Sequence, residues 1–116
     1  MRIELMAFVT GAALACVIAP SVAQNSVVPV TIDNFVFEPG RVTVKVGTTV
    51  TWTNHDDIPH TVASKDRAFK SKVMDTDESY SFTFSTPGEY TYFCSLHPHM
   101  TGTIVVEGTA GSGASQ

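Results

Sequence analysis

Between Val27 and Glu107 the apolar positions alternate with polar ones at a period of two. Val42, Val44 and Val46 are separated by Thr43 and Lys45, the signature of a strand with one face buried. Val28 to Ile32, Phe35 to Phe37, Thr49 to Thr53, Tyr80 to Phe84, Tyr90 to Cys94 and Thr103 to Glu107 repeat the theme. Glu38-Pro39-Gly40, Gly47-Thr48 and Thr86-Pro87-Gly88-Glu89 separate these runs, with proline presetting a bend and glycine accepting positive φ. Short strands joined by such turns predict an all-β fold, an antiparallel sandwich or barrel. Ser64 to Met74 breaks the pattern and predicts a helical turn or an irregular crossing.

The two ends differ from this core. Residues 1–23 read as a cleaved export signal: Arg2, then an apolar run from Leu5 to Ala19, then Pro20-Ser21-Val22-Ala23 with small residues before the cut. The run is shorter than the ~20 apolar residues that span hydrocarbon, which argues against stable membrane insertion. Cys16 falls inside it, and Ala13-Leu14-Ala15 lacks the usual lipobox order, which points away from lipidation. Residues 24–107 then form one domain, and residues 108–116, rich in Gly, Ala and Ser, are expected to be disordered. About ninety residues remain after cleavage, enough for one modest core.

Removing the leader changes the meaning of the cysteines. Of the two in the chain, only Cys94 remains, in a compartment where thiols normally pair. Its neighbours supply the explanation: Cys94-Ser95-Leu96-His97-Pro98-His99-Met100 places a thiolate, an imidazole and a thioether at C-x-x-H-x-x-M spacing. Thiolate and thioether suit Cu(I), imidazole suits either oxidation state, and a trigonal His₂Cys site with a weak axial Met is an electron-transfer copper centre. The best source of the second imidazole is His60, in Ile58-Pro59-His60-Thr61. The heptapeptide is expected to be the loop joining two neighbouring strands. His60 would reach the same end of the sandwich from a distant loop, and Trp52, Phe82 and Phe93 would form the apolar shell.

The other candidates read differently. His55, beside Asp56 and Asp57, is expected in a solvated turn. His97-Pro98-His99 mimics the H-x-H pairs of multicopper oxidases, but those need several pairs over larger chains, so His99 is expected to be exposed. Met74 reads as packing or surface. Setting Arg2 and Glu4 aside with the leader leaves six cations against ten anions, a balance unlike the basic stripe that nucleic acid requires. Four of those cations (Lys65, Arg67, Lys70, Lys72) precede Asp75, Asp77 and Glu78, a solvated loop or a docking surface for a charged partner.

Thr51-Trp52-Thr53-Asn54 through Pro59-His60-Thr61, together with Tyr90 to Val106, resemble the cupredoxins, and the short ligand loop is most similar to that of the amicyanins. The resemblance implies an eight-stranded Greek-key β-sandwich with one type 1 copper per chain and periplasmic electron-carrier activity. It assigns His60 and His97 as imidazole ligands, Cys94 as thiolate and Met100 as axial ligand. Amicyanins carry Asn where this chain has Thr61, whose hydroxyl is expected to bond towards Ser95. They carry an aromatic residue where this chain has His99. The implied partners are transient redox proteins, such as a c-type cytochrome or a periplasmic dehydrogenase, docking a monomer over an apolar patch of Ile58, Pro59, Leu96 and Pro98, with Met74 at its margin. A copper storage or delivery protein is the alternative, but such proteins often use Met- or His-rich stretches that this chain lacks. Catalysis is disfavoured because four protein ligands leave no open position. A structural zinc site is disfavoured by the thioether, and a dinuclear copper centre by the lack of a second loop cysteine.

Overall fold

The computed structural model describes residues 26–108; the expected leader, and the tail beyond Gly108, lie outside them. Eight strands follow in order: β1 (Val27–Asp33), β2 (Val36–Glu38), β3 (Arg41–Lys45), β4 (Thr49–Asn54), β5 (Ala63–Ser64), β6 (Ser79–Thr83), β7 (Gly88–Cys94) and β8 (His97–Glu107). They form two four-stranded sheets, β2-β1-β4-β6 and β3-β8-β7-β5, consistent with a Greek-key sandwich. Among the described residues no helix is long and apolar enough to cross a membrane.

The expected alternation holds in most strands, β5 and the start of β8 excepted, because each sheet buries one face. In β4, Val50, Trp52 and Asn54 point inward, while Thr49, Thr51 and Thr53 are half-buried on the other face. Those three threonines pair with Thr83, Ser81 and Ser79 of β6 through hydroxyl contacts of 2.7–2.8 Å. The core joins Val30, Ile32, Phe37, Val50 and Trp52 of one sheet to Val44, Tyr92, Ile104 and Val106 of the other. Strand pairing is not wholly antiparallel, as the alternation had led us to expect. β1 runs parallel to β4 and β3 parallel to β8, each joining a strand to one distant in sequence.

Ser64 to Met74 is the irregular crossing. It folds back along residues 60–64, with isolated bridges Ala63–Lys70 and His60–Met74, and it drops Phe69 and Met74 into the core. Met74 is therefore packing, not surface.

One packing detail fixes the floor under the ligand-bearing end. Tyr92 pairs in register with Gly102, and a Cβ on that glycine would lie 2.4 Å from the tyrosine ring. Tyr92 meets Trp52 edge-on at 5.3 Å between centroids. The Trp52 indole N–H and the Tyr92 hydroxyl are both buried without a partner in good hydrogen-bond geometry. Burial pushes the Tyr92 hydroxyl up to about 12, with the nearby indole a weaker opposing influence.

Candidate metal centre

Cys94 ends β7, and its side chain is fully buried. The chain then reverses over Ser95 and Leu96, and Cys94 pairs directly with His97 at the start of β8. The ligand segment is thus a tight hairpin rather than a free loop: His97 and Met100 belong to a strand. A register shift between Phe93 and Cys94 accompanies the reversal. His60 arrives from the other side, locked by backbone hydrogen bonds with Met74 in both directions, 3.1 and 2.9 Å.

These elements bring three donors together. Cys94 Sγ lies 3.7 Å from His60 Nδ1 and 3.6 Å from His97 Nδ1, and the donor atoms of all three residues fall within 4.8 Å of one another. Metal–thiolate and metal–imidazole bonds of about 2.3 and 2.0–2.1 Å, opened to about 115°, separate sulfur from nitrogen by about 3.7 Å. The spacing therefore fits a single shared ion. Met100 is buried in the same hairpin, six residues beyond the cysteine. His60 is fully buried, whereas His97 is half-buried and its surroundings open outward. His99 is exposed, as expected, and so is His55.

Around the donors, hydrogen bonds fix the orientation. The Thr61 amide donates to Cys94 Sγ at 3.3 Å, which stabilises negative charge on the sulfur. The Thr61 hydroxyl accepts the Ser95 amide at 2.7 Å and bonds the Ser95 hydroxyl at 2.7 Å, tying the His60 segment to the hairpin. The contact expected of this threonine is present.

Two functional residues were missed in the sequence. Asp56, noted in the sequence only as a neighbour of His55, is buried, while His55 and Asp57 are exposed. Its carboxylate accepts the Asn34 and Phe35 amides at 2.6 and 3.0 Å and contacts His60 Nε2 at 2.8 Å. Because a carboxylate only accepts, Nε2–H donates to Asp56, and Nδ1 is the ring nitrogen of His60 that faces Cys94. Burial opposes the charge on Asp56, but the two amides and the imidazole outweigh it and hold its carboxyl below the usual range. The signal that was available is the spacing: Asn54 accepts the Asp56 amide, an Asx turn four residues before His60.

The second is Phe35, expected to begin a strand. It turns out of the sheet instead and packs edge-on against both His60 and His97, at 5.3 and 4.9 Å. Trp52, by contrast, belongs to the core, stacked on Phe69 and Tyr80. The exposed apolar surface at this end is also broader than expected. It includes Phe35, which with Leu96 lines one shallow cavity; the two are 44% and 47% exposed.

Comparison with known proteins gives the same picture. A family model described as a cupredoxin-like domain matches residues 5–106. The amicyanin of Paracoccus versutus is 40% identical over 96 residues, covering 78% of this chain and 72% of that protein. A solved Cu(I) form of an amicyanin variant superposes with a TM-score of 0.66 at 38% identity, covering 74% of this chain and 86% of the other. A purple cupredoxin from Nitrosopumilus maritimus gives 0.67 at 32% identity, covering 69% and 99%. A thiolate and two imidazoles at one end of an eight-stranded sandwich thus coincide with similarity along most of the sequence, and the chain belongs to the cupredoxin-like family.

Proposed function

We infer that the protein is a type 1 copper protein that carries one electron at a time between redox partners. The observation that carries this reading is the buried convergence of Cys94 Sγ with the Nδ1 atoms of His60 and His97, at separations set for one shared ion. Amicyanins and plastocyanins, its relatives, are type 1 copper electron carriers rather than enzymes. His60, Cys94 and His97 would hold the ion, with the Met100 thioether as the fourth donor. When bound, copper supplies the one-electron couple. The residues supply the rest: Asp56 fixes the His60 tautomer, the Thr61 amide steadies the thiolate, and the strand-borne hairpin resists rearrangement between oxidation states.

The electron crosses at the half-exposed His97 edge, within the apolar surface of Phe35, Leu96 and Pro98. A small apolar patch without stable burial suits a partner that docks and leaves quickly, a c-type cytochrome or a periplasmic dehydrogenase for a monomeric carrier. The leader 1–23 is removed after Ala23, and the copper domain spans 24–107 in the periplasm. Intact-mass measurement of the exported protein checks the cut.

Spectroelectrochemistry of the copper-loaded protein tests the carrier reading. A reversible couple with one electron per chain and no copper lost over repeated cycles is expected. Loss of copper to a thiol chelator on each reduction would instead identify a storage or delivery protein.

A further inference from the structure

Phe35 occupies a conformation that bulky residues avoid. Asn34 and Phe35 are consecutive non-glycine residues with φ of 54° and 63°, in the left-handed region. Such a turn persists only where its surroundings hold it. Here the hold comes from one side chain: Asp56 Oδ1 accepts the Asn34 amide and Oδ2 accepts the Phe35 amide. The same Oδ2 also accepts a hydrogen bond from His60 Nε2–H. At the base of the turn, the His55 amide donates to the Ile32 carbonyl at 2.7 Å, so the whole segment is pinned to the chain that carries His60.

The product of this anchoring is a phenylalanine side chain on the open side of the site. Its ring stands nearly perpendicular to both imidazoles, at 89° to His60 and 82° to His97, while the imidazoles lie 4.9 Å apart. Edge-to-face contacts of this kind are attractive beyond the area they bury. His60 has other restraints, being fully buried and bonded to Asp56. His97 has fewer: it is half-buried, and its Nδ1 faces Cys94. Phe35 also walls a shallow cavity of about 410 Å³ that is otherwise lined by the hairpin, Leu96 to Met100.

We propose that Phe35 is a positioning residue of the metal centre: an aromatic shield, fixed by Asp56 through the left-handed Asn34–Phe35 turn, that holds the His97 imidazole in place and keeps water from the open side of the site. The proposal rests on His97 being a copper ligand, but its first test does not. In metal-free protein with isotope-labelled histidine rings, NMR relaxation reports the order of the His97 imidazole. Phe35→Ala and Phe35→Leu are expected to loosen that ring while leaving His60 and the fold's dispersion unchanged, and Phe35→Tyr is expected to restore it. In the copper-loaded protein, copper loss to a chelator is expected to be about tenfold faster in Phe35→Ala and Phe35→Leu, the scale of losing an edge-to-face contact. The reduction potential should shift in both and return in Phe35→Tyr. Asp56→Ala is expected to loosen His97 as Phe35→Ala does, and the double variant to be no looser than either. An unchanged His97 ring in metal-free Phe35→Ala would overturn the proposal, as would Phe35→Leu behaving like the wild type. Additive effects of Asp56→Ala and Phe35→Ala would overturn the anchoring. Failure to form a coloured copper adduct would instead refute the copper reading and leave the metal-free result to decide the role of Phe35.

Discussion

Thr61→Val replaces one hydroxyl by a methyl group, and that hydroxyl joins the two segments that carry the donors. It accepts the Ser95 amide at 2.7 Å and bonds the Ser95 hydroxyl at 2.7 Å. Thr61 itself is buried, whereas Ser95 is exposed and can recover water for its hydroxyl. Each neutral hydrogen bond contributes about 0.5–1.5 kcal/mol, so losing both costs about 1–3 kcal/mol. For a domain of this size about 1 kcal/mol moves the melting temperature by roughly 4–8 °C. Metal-free Thr61→Val should therefore melt roughly 4–24 °C below the wild type in a calorimetric scan. The Thr61 amide remains to donate to Cys94 Sγ at 3.3 Å and only the longer 3.8 Å hydroxyl contact to that sulfur is lost, so the copper adduct keeps its colour. Thr61→Ser keeps the hydroxyl and should recover most of the loss. Equal melting of the wild type and Thr61→Val, or a Thr61→Ser as unstable as Thr61→Val, would refute the reasoning.

Three further outcomes follow from the packing and the surface. Gly102→Ala places a methyl group 2.4 Å from a buried tyrosine ring that cannot yield, an overpacking cost of about 1–3 kcal/mol or more visible in urea unfolding. Tyr92 titrates near 12 when folded against 10.0 for an unburied phenol, so its contribution is complete below pH about 10 and is lost as pH rises through about 12. Two units correspond to about 3 kcal/mol, and Tyr92→Phe should flatten the alkaline limb of stability by that order while changing little at neutral pH, as measured by denaturant midpoints across pH. Leu96→Asp should slow electron transfer to a c-type cytochrome in stopped-flow mixing while the copper band persists; an unchanged rate at matched potential would remove Leu96 from the docking surface.

The strands were legible because each buries one face, which forces the period-two pattern seen in Val42, Val44 and Val46. The neighbour relations were not. Alternation is the same whether β1 meets β4 parallel or antiparallel, and the choice is made by the crossovers of the sandwich. The donors at 94, 97 and 100 were legible from residue type and spacing alone, since few other arrangements use a thiolate, an imidazole and a thioether together. That His97 and Met100 lie on a strand was hidden, because His97-Pro98-His99-Met100 carries no alternation and its extended form is imposed by pairing with β7. Asp56 and Phe35 were hidden for a different reason. Each acts through a contact across 21 or more residues, between Asp56 and the Asn34–Phe35 turn, and neither polarity nor periodicity encodes such a contact.

The central claim is that Cys94, His60, His97 and Met100 hold one copper ion that cycles by one electron. Titrating Cu(II) into the purified domain while recording the visible spectrum tests it directly. An intense thiolate-to-copper band that saturates at one equivalent per chain, bleaches on reduction, returns on oxidation and is abolished by Cys94→Ala is the predicted result. A colourless adduct, or a band that survives Cys94→Ala, would contradict it.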